Sequence, residues 1–171
     1  MRRVLVLDPA ARIGRLLRAE PVVWLSTVRA DGRPHLVPVW FSWDGERLVV
    51  ASKPDAVKVR NLRVNPQVMV ALGEAEDDFD VGLFEAEAVL PDAPSAALIS
   101  EAHFEKYAHQ LAEIGVSREE YLATYSQPIV ITPTRFLPWH GRTTPASAAV
   151  TPTLAQRVSG WLPRPMRRAF A

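Results

Sequence analysis

The stretch PVVWLSTVRADGRPHLVPVWFSWDGERLVVAS, residues 21–52, decides the fold of this 171-residue chain. Apolar β-branched and aromatic residues alternate with polar ones along it, and Asp31-Gly32 and Asp44-Gly45 interrupt the alternation. Asp-Gly between two such runs is the strongest short-range hairpin signal, because glycine accepts the positive φ that a tight turn needs. The reading is three strands, at about 22–29, 35–43 and 46–52, joined by two tight turns. Pro38 falls inside the second of them. Proline has no N–H for the ladder, so that strand belongs at an edge or carries a bulge.

Immediately downstream lies SKPDAVKVRNLRVNP, residues 52–66. The strand ends on a hydroxyl, Ser52, and a short helix is expected over 54–64, opening at Pro54, where a missing N–H costs nothing. Lys58, Arg60 and Arg63 lie on or near it, and Asn61 and Asn65-Pro66 close it. Free N–H groups at a helix start attract phosphate, and a nearby cation adds charge-assisted bonds. Ser52, Lys58 and Arg60 are therefore candidates for a phosphate cradle. The plain alternative is a solvated basic helix joining two strands.

Outward from this centre the pattern continues. Asp8-Pro9 caps a helix over 10–19, with Ile13, Leu16 and Leu17 on one face. Strands are expected at 68–72, 81–90 and 129–139; in the second of these Phe84, Ala86 and Ala88 oppose Glu85 and Glu87. Residues 94–111 read as helical, Gly115 stops them, and Ser117-Arg118-Glu119-Glu120 is a capping box for another helix. Six strands at short spacing, with helices inserted late, predict a mainly β small barrel.

Trp24, Trp40 and Trp43 crowd two adjacent strands, which core packing explains, although Trp40 shares a face with Pro38. The four histidines, His35, His103, His109 and His140, read as surface residues and form no metal site. Five carboxylates within residues 74–80 lack the ordered ligand spacing of a calcium loop and read as a solvated turn.

Composition narrows the function. The net charge of +1 carries no global signature of nucleic-acid binding. The absence of cysteine excludes disulfides, thiolate catalysis and cysteine-ligated metals. The first apolar run ends at Asp8, too early for a leader, and no stretch reaches the length of a membrane span, so a cytoplasmic location is expected. Dinucleotide, phosphate-loop, nucleophile-elbow and zinc-protease signatures are all missing.

Four segments in order, TVRADGRPHLVPVWFSWDG, KVRNL, Asn65-Pro66 and PTRFLPW, make residues 15–141 similar to the flavin- and deazaflavin-binding split β-barrel superfamily, the pyridoxamine-5′-phosphate-oxidase-like proteins. Within it the chain resembles the branch of probable F420-dependent oxidoreductases of actinobacteria. The resemblance implies a six-stranded split barrel, a homodimer with the cofactor between subunits, and a hydride passed from reduced deazaflavin to a small electron-poor organic acceptor. It implies that Val37, Pro38 and Val39 face the cofactor ring, that Ser52, Lys58 and Arg60 hold its phosphate, and that Asn61 caps the helix or bonds across the cleft. No side chain is assigned as acid or base. Ala56 stands where some deazaflavin-binding relatives carry a second basic residue, a place Lys53 can fill. FMN is the alternative cofactor, and a non-catalytic flavin or haem carrier the alternative class.

The resemblance stops at Gly141. Residues 142–171 carry five arginines and no acid, against 15 basic and 19 acidic residues before them. Residues 142–152 read as a linker and 153–162 as a short helix. A loosely docked terminus is the plain reading of this segment. Its arginines suit the oligoglutamate tail of F420, and contact with an anionic membrane surface is a lesser alternative.

Overall fold

The computed structural model describes residues 9–74 and 80–137. The basic tail, Trp139, His140 and the centre of the acidic loop lie outside the described residues.

Helix α1, Pro9–Ala19, leads into strands β1, Val23–Val28, and β2, Pro34–Val39. Strands β3, Ser42–Trp43, and β4, Leu48–Ser52, follow, then helix α2, Val57–Leu62. Strands β5, Gln67–Glu74, and β6, Asp80–Val89, precede the short helices α3, Glu101–Lys106, α4, Ala108–Glu113, and α5, Arg118–Thr124; β7, Gln127–Leu137, ends the series. No described helix is long and apolar enough to cross a membrane.

Both hairpin turns form where the sequence places them. Gly32 and Gly45 take φ of 83° and 108°, and Asp44 Oδ1 accepts the Glu46 and Arg47 N–H groups at 2.8 and 2.7 Å. The alternation of β6 holds, with Phe84, Ala86 and Ala88 buried. At β7 the pairing slips: Glu85 opposes Arg135 but Ala86 opposes Pro133. Thr134 is thus the extra residue of a bulge, next to a proline that cannot donate to a ladder.

The seven strands form one antiparallel sheet in the order β2-β1-β5-β6-β7-β4-β3. The expected strand over 35–43 is therefore two strands, which lie at opposite edges of the sheet. Only Trp40 and Phe41 separate them, and so short a link spans at most about 11 Å. The sheet must curl until its edges meet. This is how a mainly β split barrel closes here: by a covalent corner, with β2 at an edge as Pro38 requires.

The corner breaks the strand because its peptide groups have no ladder partner. A buried Phe41 N–H without one costs free energy. The hydroxyl of Tyr107 fills the gap, accepting the Phe41 N–H at 3.0 Å and donating to Pro21 O at 2.7 Å, with Phe41 O also 3.0 Å away. Tyr107 is fully buried, and burial raises its hydroxyl to about 12, so it stays protonated as a donor. Reaching the corner takes a price from the helix. Tyr107 leaves helical geometry at φ −109°, ψ 15°, and the expected helix over 94–111 breaks there into α3 and α4.

The barrel interior is one apolar cluster, plugged by Val59 and Leu62 of α2 and covered by Ile13, Leu16 and Leu17 of α1. The α1 contact needs Gly82: a Cβ there would meet Leu72 at 2.8 Å and Ile13 at 3.2 Å. A second cluster, including Ala51, Ile99, Tyr107, Leu111 and Tyr121, seals the inserted helices against the barrel.

Tyr107→Phe removes the hydroxyl and orphans the Phe41 N–H. Chemical denaturation should show a loss of about 1–3 kcal/mol with an unchanged m-value. Parent-like stability would mean that the corner is not held by this bond.

Candidate cofactor-binding site

Pro38 and Val39 at the end of β2, Trp40 of the corner, Ala51 of β4, Lys58 of α2, and Ile114, Tyr121 and Tyr125 from the inserted helical segment line one cleft of about 240 Å³. Each wall has its own cause. Strand alternation turns Pro38 outward and buries Val39. Trp40 is held by stacking on Tyr107, with ring centroids 4.6 Å apart and planes 6° off parallel. It lies 6.0 Å from Tyr121, which in turn lies 5.0 Å from Tyr125. The outcome is a continuous aromatic surface suited to a planar ring.

The capping box of α5 sets the two tyrosines. Glu120 N–H donates to Ser117 Oγ at 3.2 Å, and Ser117 N–H donates to Glu120 Oε2 at 2.8 Å. Tyr121 lies in this helix, and Tyr125, its C-cap residue, donates its N–H to Tyr121 O at 2.8 Å, which brings the two rings side by side. Sequence reading placed this helix but missed its role; the YLATY spacing was the available signal.

Among the described residues, Lys58 is the only cation lining the cleft. It is half-buried, and burial lowers its pKa. No described carboxylate lies within ion-pair range of it, whereas Arg33, Arg47 and Arg118 each meet one. A desolvated ammonium without a counter-ion favours an anion brought from outside.

The other candidate residues are distributed differently. Val37 packs against the barrel core and does not line the cleft. Ser52 is fully buried, and its hydroxyl donates to Lys53 O at 3.3 Å. Lys53 is exposed, with its ammonium 5.8 Å from the Tyr125 ring. Arg60 is exposed and donates to Asp55 O at 2.7 Å. Asn61 is buried and donates through Nδ2 to Thr27 Oγ1 at 2.9 Å, which ties α2 to β1. The Thr27 hydroxyl in turn lies 3.4 Å from His35 Nδ1.

Helix α2 also opens later than expected, at Val57, with Ala56 as an N-cap that makes no side-chain bond. Pro54 sits in the turn before it. The expected cradle of hydroxyl and helix start is thereby reduced to Lys58.

Two further expectations change. Trp24 is 45 % exposed rather than packed inside, because β1 alternation turns it outward. His103 is fully buried rather than on the surface, since the inserted helices fold over it and Tyr121 Oη meets its Nε2 at 3.1 Å. Its Nδ1 has no partner. Burial, with a smaller contribution from the charge of Lys106, pushes His103 down to about 4. No described group of three metal-binding side chains gathers anywhere.

The model of the pyridoxamine 5′-phosphate oxidase family matches residues 10–140. Among solved structures, a conserved hypothetical protein from Mycobacterium tuberculosis aligns with a TM-score of 0.64 at 23% identity, covering 83% of this chain and 91% of that one. An F420 reductase aligns with a TM-score of 0.52 at 25% identity, over 72% of this chain and 94% of its own. A heme storage protein from Vibrio cholerae aligns with a TM-score of 0.52 at 22% identity, over 75% and 92%. No protein of curated function matches the chain.

A buried neutral His103 makes stability depend on pH. The unfolded chain takes up the proton near 6.5 and the folded one not until about 4. The unfolded state therefore binds more protons in that window, and stability, full above 6.5, falls as pH drops. The fall should total on the order of 3 kcal/mol. His103→Gln should flatten the curve over that window in denaturant titrations, and parallel curves would refute a neutral buried imidazole.

Proposed function

The chain belongs to the pyridoxamine 5′-phosphate oxidase family, whose model spans most of it. We propose that it is an oxidoreductase that binds F420 and reduces a small electron-poor organic acceptor, acting in the cytoplasm as a homodimer. One observation carries this reading: a half-buried ammonium that meets no described carboxylate and a continuous aromatic wall share a single cleft. Such a pairing fits a cofactor with a planar ring and a phosphate. The likeness to an F420 reductase supports the deazaflavin over FMN, which presents the same two chemical features.

In this reading Lys58 faces the phosphate, while Pro38 and Trp40 lie against the ring. Tyr121 and Tyr125 extend the same aromatic surface. When bound, reduced F420 supplies the hydride. Among the described residues no carboxylate or histidine lines the cleft, and burial raises the Tyr121 hydroxyl, which keeps it protonated. The chain's part is therefore to bind, orient and exclude water. An anion beside Lys58 offsets the cost of burying its charge, so binding also favours the protonated amine.

Two features support the dimer. At about 240 Å³ the cleft is smaller than the ~300–1,000 Å³ of typical ligand sites. Beside it, the outer face of β2, β1 and β5 exposes Trp24, Leu36 and Met69 at 45%, 57% and 39%. These fall on adjacent rungs, with Trp24 opposite Pro38 and Ser26 opposite both Leu36 and Met69. An apolar patch of this kind marks an interface, and Pro38 belongs to both patch and cleft. A second copy on this face would complete the site.

Titration of the purified protein against F420 and FMN tests the cofactor. Lys58→Glu should weaken either ligand at least about tenfold with little change in folding, the loss of one charge-assisted bond. Undiminished binding would remove Lys58 from the site.

The assembly has its own test. The parent should sediment as a dimer at micromolar concentration, and Trp24→Glu combined with Leu36→Glu should yield a folded monomer with weakened cofactor binding. A monomeric parent would count against both the dimer and the shared cleft.

A further inference from the structure

A second cavity, of about 390 Å³, opens between α1, the β3–β4 hairpin and the chain from Leu98 to Lys106. It contains none of the candidate cofactor residues. Its volume falls within the range of small-molecule sites. Leu17, Trp43, Val49, Leu98 and Val130 give it apolar walls, and the planar indole offers a surface for a flat molecule.

The polar side of this cavity is unbalanced. Arg18, Arg47 and Lys106 line it against one carboxylate, Asp44. Asp44 is already committed to Arg47 at 3.2 Å. Arg18 donates to Gly14 O at 3.1 Å and meets no described carboxylate. The Lys106 ammonium rests 3.8 Å from the centroid of the buried Phe41 ring. Glu20 acts on it through charge, and no described carboxylate lies within ion-pair range. Among the described residues, two cations without a carboxylate in ion-pair range thus border an apolar pocket that also presents the Ser42 and Ser100 residues.

We propose that this cavity binds a small organic anion with a flat apolar body, such as an aromatic or conjugated carboxylate. The carboxylate would face Arg18 and Lys106, and the body would lie against Trp43, Val49 and Val130. A neutral apolar molecule would leave both cations unmatched. A bare inorganic anion would leave the walls uncovered. Neither the identity of the cofactor nor the dimer enters this assignment.

The full-length protein can be titrated with 1-anilinonaphthalene-8-sulfonate, a flat apolar anion that fluoresces when bound out of water. Its uncharged counterpart, N-phenyl-1-naphthylamine, measures what the charge contributes. The anion should bind at least about tenfold more tightly than the neutral probe, as a charge-assisted contact predicts. Arg18→Glu reverses one charge at an exposed helix position, and Ala102→Trp fills the cavity from an exposed wall residue. Each should weaken the anion by a similar factor while circular dichroism stays parent-like. Lys58→Glu and Trp24→Glu should leave its binding unchanged. Equal affinity for the two probes would overturn the proposal, as would undiminished anion binding in Arg18→Glu and Ala102→Trp. Loss confined to Lys58→Glu or Trp24→Glu would place the probe elsewhere and overturn it too.

Discussion

The Tyr107 hydroxyl sits at the point where the two edges of the sheet meet. The chain passes from β2 to β3 through two residues, yet those strands are at opposite ends of the strand order. No ladder can serve the corner peptide. One phenol therefore takes the Phe41 N–H and gives its proton to Pro21 O, binding the corner to the start of β1. Buried backbone groups must find partners, and here the partner comes from the break between two inserted helices, 66 residues further on. Helix α3 ends at Tyr107, and α4 starts after it.

The same ring builds the cleft. Trp40 stacks on Tyr107, and Tyr121 and Tyr125 extend the aromatic surface. Closure of the barrel and the shape of the candidate site thus share one residue. His103 supports the arrangement from behind, through its contact with Tyr121 and its packing on Tyr107, 4.7 Å between ring centroids. A neutral imidazole suits that position, since a charged one would be buried without a counter-ion.

Charge follows a division of its own. The exposed pairs Asp31–Arg33, Asp44–Arg47 and Glu101–Arg118 tidy turns and helix ends, and such pairs add little stability. The half-buried lysines are different. Lys58 and Lys106 both lose affinity for their protons through burial, and neither meets a described carboxylate. Each borders a separate cavity with apolar walls. Leaving a desolvated ammonium without a counter-ion works against stability; Lys106 offsets part of this by lying over the Phe41 ring, 3.8 Å from its centroid.

What the sequence determined by itself is what neighbours along the chain enforce. The two Asp-Gly turns, the in–out alternation of β6, the apolar face of α1 and the Ser117 capping box depend on residues a few positions apart, and all formed as read. Proline's missing N–H placed β2 at an edge. Of the candidate site, Pro38, Val39 and Lys58 came together. Contacts across long separations decided the rest. The split of residues 35–43 into two strands, the break at Tyr107 and the burial of His103 all follow from barrel closure and from helices folding back over it. The same packing buried Ser52, drew the Asn61 side chain into a hydrogen bond with Thr27 and brought Tyr121 and Tyr125 to the cleft. Periodicity reports which face of an element is apolar. Which element covers that face, and which polar atom must satisfy a peptide at a corner, is set only when distant segments meet.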